Sequence, residues 1–159
     1  MKKKDFLIKL KKEGKIGLVE SSEEIKNSYL EKSESNLVSA KILLENNKLE
    51  ESVALVYYSM YNSLIALLFK IGIKSENHAV SIMLLKEIFG LSNSDIAFAK
   101  KERVDKQYYV DFEVTKEQVE EAIRKAEIFN SKIIDFISKL TNDSIKLYRK
   151  KFEEAYIGI

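Results

Sequence analysis

One short segment combines an arginine, an aspartate and two tyrosines at close spacing, namely Arg103, Asp105, Tyr108 and Tyr109. These residue types suit contact with a phosphate ester. An arginine guanidinium can bind phosphate oxygens through two hydrogen bonds, and a tyrosine ring can stack on a nucleobase or donate its hydroxyl. The four residues therefore form a candidate nucleotide-binding or RNA-binding surface. The alternative interpretation is a charged helix end, in which Arg103 and Asp105 form surface ion pairs and the tyrosines pack partly against the protein.

His78 is the only histidine of the chain, and histidine is the side chain that normally titrates near neutral pH. It follows Lys74 and Ser75, and Ser75 is suited to cap a helix that begins there. Because the helix dipole disfavours a charged imidazole in the first turn, we expect His78 to complete that cap. The alternative is a catalytic role beside Arg103, with Lys74 and Ser75 forming an anion site at the helix end.

The sequence predicts no metal site and no cofactor. It contains no cysteine, which excludes disulfides and thiolate ligands. Its paired carboxylates are direct neighbours in predicted helices, so their side chains diverge and do not share a metal. These pairs are Glu23-Glu24, Glu50-Glu51 and Glu120-Glu121.

The composition suits one folded domain with a single core, because 45% of the 159 residues are hydrophobic and 33% are charged. The chain has no proline and five glycines, which favours long helices with short connections. No signal-peptide run follows the N-terminal lysines, and the most apolar later stretch is interrupted by polar residues. We expect a cytoplasmic protein without a membrane span.

The N-terminus concentrates positive charge, although the net charge of the whole chain is only +2. Seven lysines fall in the first sixteen residues, with Phe6, Leu7 and Leu10 between them. Such a segment can reach RNA or an acidic partner. The commoner outcome, which we expect here, is a solvated and frayed segment.

Cap signals and apolar residues at helical spacing predict five helices and a short C-terminal segment. Capping boxes at Ser21-Ser22-Glu23-Glu24 and Thr115-Lys116-Glu117-Gln118 begin the first and the fifth helix. The predicted ranges are roughly 23–45, 51–70, 75–90, 92 or 94 to 103, 115–140 and 142–155. Residues 108–114 alternate in polarity, but a lone strand has no partner, so a loop is expected there.

The predicted fold is all-α: an antiparallel up-and-down bundle of four to five long helices with a short C-terminal helix. The second helix is apolar on nearly every side, which predicts a position at the centre. Its Tyr57, Tyr58 and Tyr61 resemble an aromatic platform, but packing in the core or a dimer is expected. We divide the chain into a basic lead-in (1–20), the bundle (21–140) and a C-terminal extension (141–159).

Several segments resemble the HEPN family in their order and spacing. The first two helices, the turn after them and the following basic residue and histidine carry most of this resemblance, which extends from about residue 10 to residue 137. The segments are Leu10–Ile16, Tyr29–Leu37 with Ala40-Lys41, Ala54–Asn62, Ala66–Leu68 with Gly72-Ile73, Lys74–His78 and Arg103–Phe129.

The resemblance implies a helical bundle, commonly a homodimer, that is encoded beside a minimal nucleotidyltransferase as a toxin-antitoxin type pair. It also implies RNA as a target, since many relatives are metal-independent ribonucleases. In some related pairs the partner enzyme attaches a nucleotide to a tyrosine.

The nuclease motif of that family is an arginine, often followed by asparagine, and then a histidine four to six residues later. Here Arg103 matches the arginine, but Val104 follows it, and Tyr108 or Tyr109 stands where the histidine belongs. His78 lies upstream and does not complete the motif in order. Since tyrosine has a reference pKa of about 10, it is a poor substitute for histidine as a base near neutral pH.

Three hypotheses follow. The first is a dimeric protein that binds a minimal nucleotidyltransferase or RNA, with Arg103, Asp105, Tyr108, Tyr109 and Lys74 as candidate contacts. The second is a metal-independent ribonuclease that uses Arg103 with His78 or a tyrosine. The third is a helical module whose only role is structural.

Overall fold

The computed structural model describes residues 2–108 and 113–158, without the side chains of residues 105–108 and 157. Within this part of the chain the structure is a bundle of α-helices with one two-stranded sheet, which confirms the predicted all-α fold. The elements in chain order are α1 (Lys3–Lys12), β1 (Ile16–Leu18), α2 (Glu23–Glu45), α3 (Leu49–Ile71), β2 (Ile73–Ser75), α4 (His78–Glu87), α5 (Ser94–Tyr108), α6 (Lys116–Ser138), α7 (Asn142–Phe152) and a π-helical turn (Glu153–Ile157).

Helices α2 and α3 form an antiparallel hairpin that small residues hold close together. The Ser33 hydroxyl donates to the Ser59 carbonyl at 2.6 Å, and the Ser59 hydroxyl donates back to the Ser33 carbonyl at 2.7 Å. Further along, the Ser52 hydroxyl donates to the carbonyl of Ala40 at 2.7 Å. Because these polar groups are buried and satisfied, the two backbones can approach without leaving orphan donors.

Helix α3 is the central element, as its apolar sequence predicts. It packs against α2, α5, α6 and α7 and is buried along most of its length. By length and composition it could cross a membrane, but 78% of its most apolar window is buried inside the bundle. That burial is the pattern of a core helix in a folded domain.

The N-terminal segment is not frayed, contrary to the sequence-based expectation. Helix α1 buries Leu7 and Leu10 in the core, while its lysines remain exposed. Lys3 Nζ lies 2.7 Å from a carboxylate oxygen of Glu87. The apolar side chains between the lysines therefore anchor a segment that charge alone would leave solvated.

A short antiparallel sheet was not predicted. Strand β1 pairs with β2 in the register Ile16 with Ser75 and Leu18 with Ile73. Three-residue strands carry no useful periodicity, so nothing local in the sequence indicates them. The sheet places Ser75 and the following turn at the end of α3.

Two predicted caps differ from the structure. The N-cap of α4 is Asn77, whose side chain accepts from the Val80 amide at 3.0 Å, and not Ser75. Helix α2 is capped by Ser22 without a capping box, because Ser21 instead bonds the Lys70 carbonyl. The predicted capping box at the start of α6, between Thr115 and Gln118, is confirmed.

The C-terminal segment packs back on the bundle. Phe152 and Tyr156 are buried in the core, and one guanidinium nitrogen of Arg149 lies within hydrogen-bond distance of three carbonyl groups. These carbonyls belong to Val19, Ile71 and Gly72, at 2.7, 3.0 and 3.2 Å. Arg149 thus satisfies acceptors at the end of α3, which is the usual role of a cation at a helix C-terminus.

Candidate functional site

Three tyrosines of α3 form the base of the candidate site. Tyr57 is fully buried and Tyr61 is 8% exposed, while Tyr58 is half-buried. The Tyr57 ring centroid lies 5.6 Å from that of Tyr58 and 5.9 Å from that of Tyr61. The predicted packing role of these residues is confirmed for Tyr57 and Tyr61, but both also hold polar partners.

His78 is the first residue of α4 and packs directly on two of these tyrosines. Its Nδ1 lies 2.7 Å from the Tyr57 hydroxyl, and its ring stacks on Tyr61 with centroids 3.9 Å apart and planes 11° apart. The Tyr61 hydroxyl lies 3.1 Å from the hydroxyl of Ser81, one turn further along α4. The expected role of His78 in capping is wrong, because Asn77 supplies the cap and the imidazole turns towards α3.

Arg103 of α5 reaches the same tyrosines from another side. One guanidinium nitrogen donates to the Tyr58 hydroxyl at 3.0 Å. The central guanidinium carbon lies 5.4 Å from the ring centroids of both Tyr57 and Tyr58, within the range of a cation–π interaction. Arg103 and His78 therefore converge on Tyr57, although they belong to different helices.

Burial favours the neutral forms of His78, Tyr57 and Tyr61. It lowers the pKa of His78, and the nearby positive charges of Lys100 and Arg103 lower this pKa further. Burial also raises the pKa of the Tyr57 and Tyr61 phenols. The cluster thus contains a neutral imidazole and protonated phenols, with positive charge supplied by arginine.

Beside this cluster lies a groove of about 610 Å³ between α2, α3 and the segment that leads into α4. Polar and aromatic side chains line much of it, and the single carboxylate among the described lining residues is Glu76. The lining residues are Tyr29, Lys32, Asn36, Tyr58, Tyr61, Asn62, Ile65, Phe69, Lys74, Ser75, Glu76 and His78.

Aromatic rings and two lysines are among the residues that line the groove. Tyr29 stacks on Phe69 with centroids 5.5 Å apart, and Lys32 Nζ lies 5.9 Å from the Tyr29 centroid. Lys74 Nζ lies 3.3 Å from a carboxylate oxygen of Glu76. This pair is exposed, so Glu76 offsets part of the charge of Lys74 without removing its reach into the groove.

The structure unites some of the predicted site residues. Arg103 and His78 share the tyrosine cluster, and Lys74 lines the adjacent groove. Asp105 and Tyr108 belong to α5, but their side chains lie outside the described residues, as does all of Tyr109. The loop predicted for residues 108–114 also falls largely outside the described residues.

Sequence reasoning missed the part of the groove that α2 contributes. Tyr29, Lys32 and Asn36 recur at three- and four-residue spacing, and so do Tyr58, Asn62, Ile65 and Phe69 on α3. Two polar and aromatic stripes of this kind on neighbouring helices are a detectable signal. Their meaning becomes clear only when the antiparallel hairpin places them opposite each other.

Among the residues that the structure describes, no group of three His, Asp or Glu side chains is arranged to hold a metal ion. The chemistry that the cluster itself offers is recognition of an anion by Arg103 and proton transfer by a neutral imidazole.

The fold and the cluster define a class of protein: a helical bundle in which an arginine and a histidine from two other helices contact tyrosines of the central helix. The family model of the HEPN domain matches residues 27–149, so the chain belongs to the HEPN domain family. This match includes α3, His78 and Arg103. A comparison with curated proteins finds no match.

Proposed function

We propose that this HEPN-family protein binds RNA in the groove beside His78, as one member of a pair with a minimal nucleotidyltransferase. The observation that carries the RNA-binding proposal is the convergence of Arg103 and His78 on the α3 tyrosines at the edge of a basic, aromatic groove. Such a combination suits a polynucleotide, because cations bind its phosphates and rings stack on its bases.

The charges of the groove favour an anionic ligand. Lys32 and Lys74 line it and Arg103 contacts the lining residue Tyr58, while Glu76 supplies the single described carboxylate. Since the net charge of the whole chain is only +2, this local excess and not the overall charge would attract the nucleic acid.

A binding assay tests the RNA proposal. We expect fluorescence anisotropy to show that the protein binds labelled single-stranded RNA in the presence of a chelator, more weakly as salt rises. Lys32→Ala should weaken this binding, whereas Lys132→Ala, which removes an exposed lysine of α6, should not. Absence of binding by the wild-type protein, or equal losses in the two variants, would refute the proposal.

The pairing with a nucleotidyltransferase is supported by family membership, since relatives are commonly encoded beside such an enzyme. The test is co-purification of the protein with the nucleotidyltransferase encoded by an adjacent gene. Retention of that enzyme through size-exclusion chromatography is the expected result. An enzyme that elutes alone would contradict the pairing without affecting the RNA proposal.

We further propose that the protein forms a homodimer through exposed apolar residues on α2 and α6. Val38, Ile42, Ile128 and Ile134 are each at least half exposed, and we call them the α2–α6 face. An ion pair of 3.2 Å between Lys41 and Glu127 joins the two helices beside them. Exposed apolar side chains on two neighbouring helices are suited to association with another chain.

A second candidate function is metal-independent RNA cleavage, and the contact between His78 and Tyr57 favours it. In that reaction the ribose 2′-oxygen attacks the adjacent phosphorus, the bond to the 5′-oxygen breaks, and a cyclic phosphate and a 5′-hydroxyl remain. A neutral His78 can accept the 2′-proton, Arg103 can stabilise the charge on the phosphate, and a protonated group must donate a proton to the leaving 5′-oxygen.

We favour binding over cleavage because the described side chains supply only one group that titrates near neutral pH. Tyr57 is fully buried, so its phenol orients His78 but does not reach a substrate. Incubation of end-labelled RNA with the protein in chelator separates the two functions. Products that end in a cyclic phosphate, abolished by His78→Ala, would establish cleavage, and intact RNA would leave binding alone.

A further inference from the structure

Two asparagine side chains face each other across the middle of the groove. The Asn62 amide nitrogen on α3 donates to the Asn36 amide oxygen on α2 at 2.7 Å. This bond fixes both amides. It leaves the amide oxygen of Asn62 and the amide nitrogen of Asn36 without another hydrogen bond in the described part of the chain. Asn62 is only 7% exposed, and it lines the groove.

The polar side chain of Asn62 is unusual for its position. The helix around it is largely apolar, and a mostly buried amide is favourable only where its polar atoms find hydrogen-bond partners. Solvent in the groove can meet that need, but so can a ligand that offers a donor and an acceptor side by side. The two amides together thus offer one acceptor and one donor, held by their mutual hydrogen bond, among the residues that line the groove.

The edge of a nucleobase has this complementary pattern. Each base presents a donor next to an acceptor on its pairing edge, and in a single strand this edge is open to hydrogen bonds from protein side chains. In a duplex this edge is occupied by the opposite base, so only an unpaired nucleotide can offer it.

The surroundings of the amide pair suit a nucleotide. Asn62 lies one helical turn from Tyr58, which holds Arg103, so about 6 Å of helix axis separate the amide pair from that end of the groove. On the other side lie Ile65 and the stacked rings of Tyr29 and Phe69. A nucleotide whose phosphate lies near Arg103 therefore has its base within reach of the two amides.

We propose that Asn36 and Asn62 read the edge of one unpaired base, so that the groove distinguishes single-stranded RNAs by sequence. This inference rests on the proposed RNA-binding function and adds a specificity that phosphate contacts cannot supply. The residues that hold the phosphate and the residues that select the base are then separate sets on the same two-helix surface.

The test compares oligonucleotides that differ only in their bases. Short single strands of A, of C and of U, and an abasic strand of equal length, are titrated with the wild-type protein and with Asn36→Leu and Asn62→Leu. Leucine keeps the size of asparagine but removes its hydrogen bonds. Asn27→Leu, at an exposed site on α2 outside the groove, is the matched control.

We expect the wild-type protein to bind one of the base-bearing strands about tenfold more tightly than the abasic strand. Both groove variants should lose this preference and keep the abasic affinity, while Asn27→Leu should behave as wild type. If Asn62→Leu proves unfolded by circular dichroism, the half-buried Asn36→Leu decides the question.

Two failures are distinguishable. If the wild-type protein binds every strand equally, including the abasic one, or if Asn36→Leu retains the preference, base reading is refuted while RNA binding stands. If the wild-type protein binds none of the strands, the proposed function fails and the inference fails with it.

Discussion

Arg103 combines a positive charge with a flat guanidinium, and a lysine at the same position would supply only the charge. Its planar guanidinium lies 5.4 Å from two tyrosine ring centroids, and one of its nitrogens donates to the Tyr58 hydroxyl. A lysine ammonium keeps the charge but lacks the flat surface and the fixed fork of donors. The position thus selects for shape as well as for charge.

Replacement of Arg103 should therefore weaken RNA binding to an extent that depends on the replacing residue. We expect Arg103→Ala to raise the Kd by about ten- to a hundredfold, because a hydrogen bond to a charged group contributes about 1.5–3 kcal/mol. Arg103→Lys should fall between this variant and wild type. Anisotropy titrations at several salt concentrations measure both changes, and the salt slope of Arg103→Ala should be smaller by about one.

Arg124→Ala is the matched control, because Arg124 is an exposed arginine of α6 that pairs with Glu121. An equal loss of affinity in Arg124→Ala would show that the effect of Arg103 is one of general charge.

His78 should make the stability of the protein depend on pH in a definite direction. Its pKa in the folded protein lies below the ordinary value of 6.5 because of burial, Lys100 and Arg103, while it also contacts Tyr57 and Tyr61. As the pH falls below 6.5, the unfolded chain takes up the proton first. The stability is then fully present above that pH and declines between it and the folded pKa.

We expect the free energy of unfolding of the wild-type protein to fall more than that of His78→Gln between about pH 7.5 and about pH 5.5. Urea denaturation at the two pH values measures this difference. Carboxylates titrate equally in both proteins, so the comparison isolates His78. Parallel pH profiles would show that the imidazole is not held in its neutral form.

At the scale of the elements, the junction between α3 and β2 depends on one glycine. Gly72 has a φ of 92°, and a Cβ there would overlap the Arg149 guanidinium and lie 2.5 Å from the Val19 carbonyl oxygen. The left-handed backbone conformation and the close carbonyl are both unfavourable for any side chain. Three segments of the chain meet at this point.

We expect Gly72→Ala to lower the free energy of unfolding by at least about 2 kcal/mol, from backbone strain and displacement of Arg149. Gly17→Ala is the control, since a Cβ at Gly17 in β1 meets nothing within 4 Å. Chemical denaturation of the two variants measures the contrast. Equal stabilities would mean that the junction adjusts without cost.

The sequence predicts helices far better than it predicts their joints. The long amphipathic pattern and the capping box at Thr115 predict α6 correctly, because both signals are local. The sequence predicts Ser75 and not Asn77 as the cap of α4, because both residue types cap helices and the sheet that holds Ser75 is formed by distant residues. The strands themselves are too short to produce a pattern.

The candidate site was predictable in part. Arg103 and His78 could be selected by residue type, but their order in the chain disagreed with the family motif, and only the fold brings both to Tyr57. The spacing of the tyrosines predicts packing, which describes Tyr57 and Tyr61 but omits their polar contacts. Asn36 and Asn62 belong to polar and aromatic stripes that the sequence contains, but their contact depends on the pairing of two helices.

At the scale of the whole molecule, the α2–α6 face gives a test of the proposed dimer. We expect the wild-type protein to elute as a dimer and Ile42→Glu to elute as a monomer, because a carboxylate buried in an apolar interface is strongly unfavourable. Light scattering coupled to size-exclusion chromatography gives both masses.

Leu147→Glu is the control, because Leu147 is 63% exposed on α7 and lies outside this face. If Leu147→Glu dissociates the dimer and Ile42→Glu does not, the interface lies elsewhere on the molecule.

The burial of α3 on nearly every side has a consequence for synthesis on the ribosome. When this helix leaves the exit tunnel, α2 is available to cover one side, but α5, α6 and α7 have not yet been translated. Its apolar surface stays exposed until these later helices are synthesised, and exposed apolar surface of this kind promotes aggregation of the nascent chain. A premature stop codon before Lys116 should therefore yield an insoluble fragment and not a smaller folded protein.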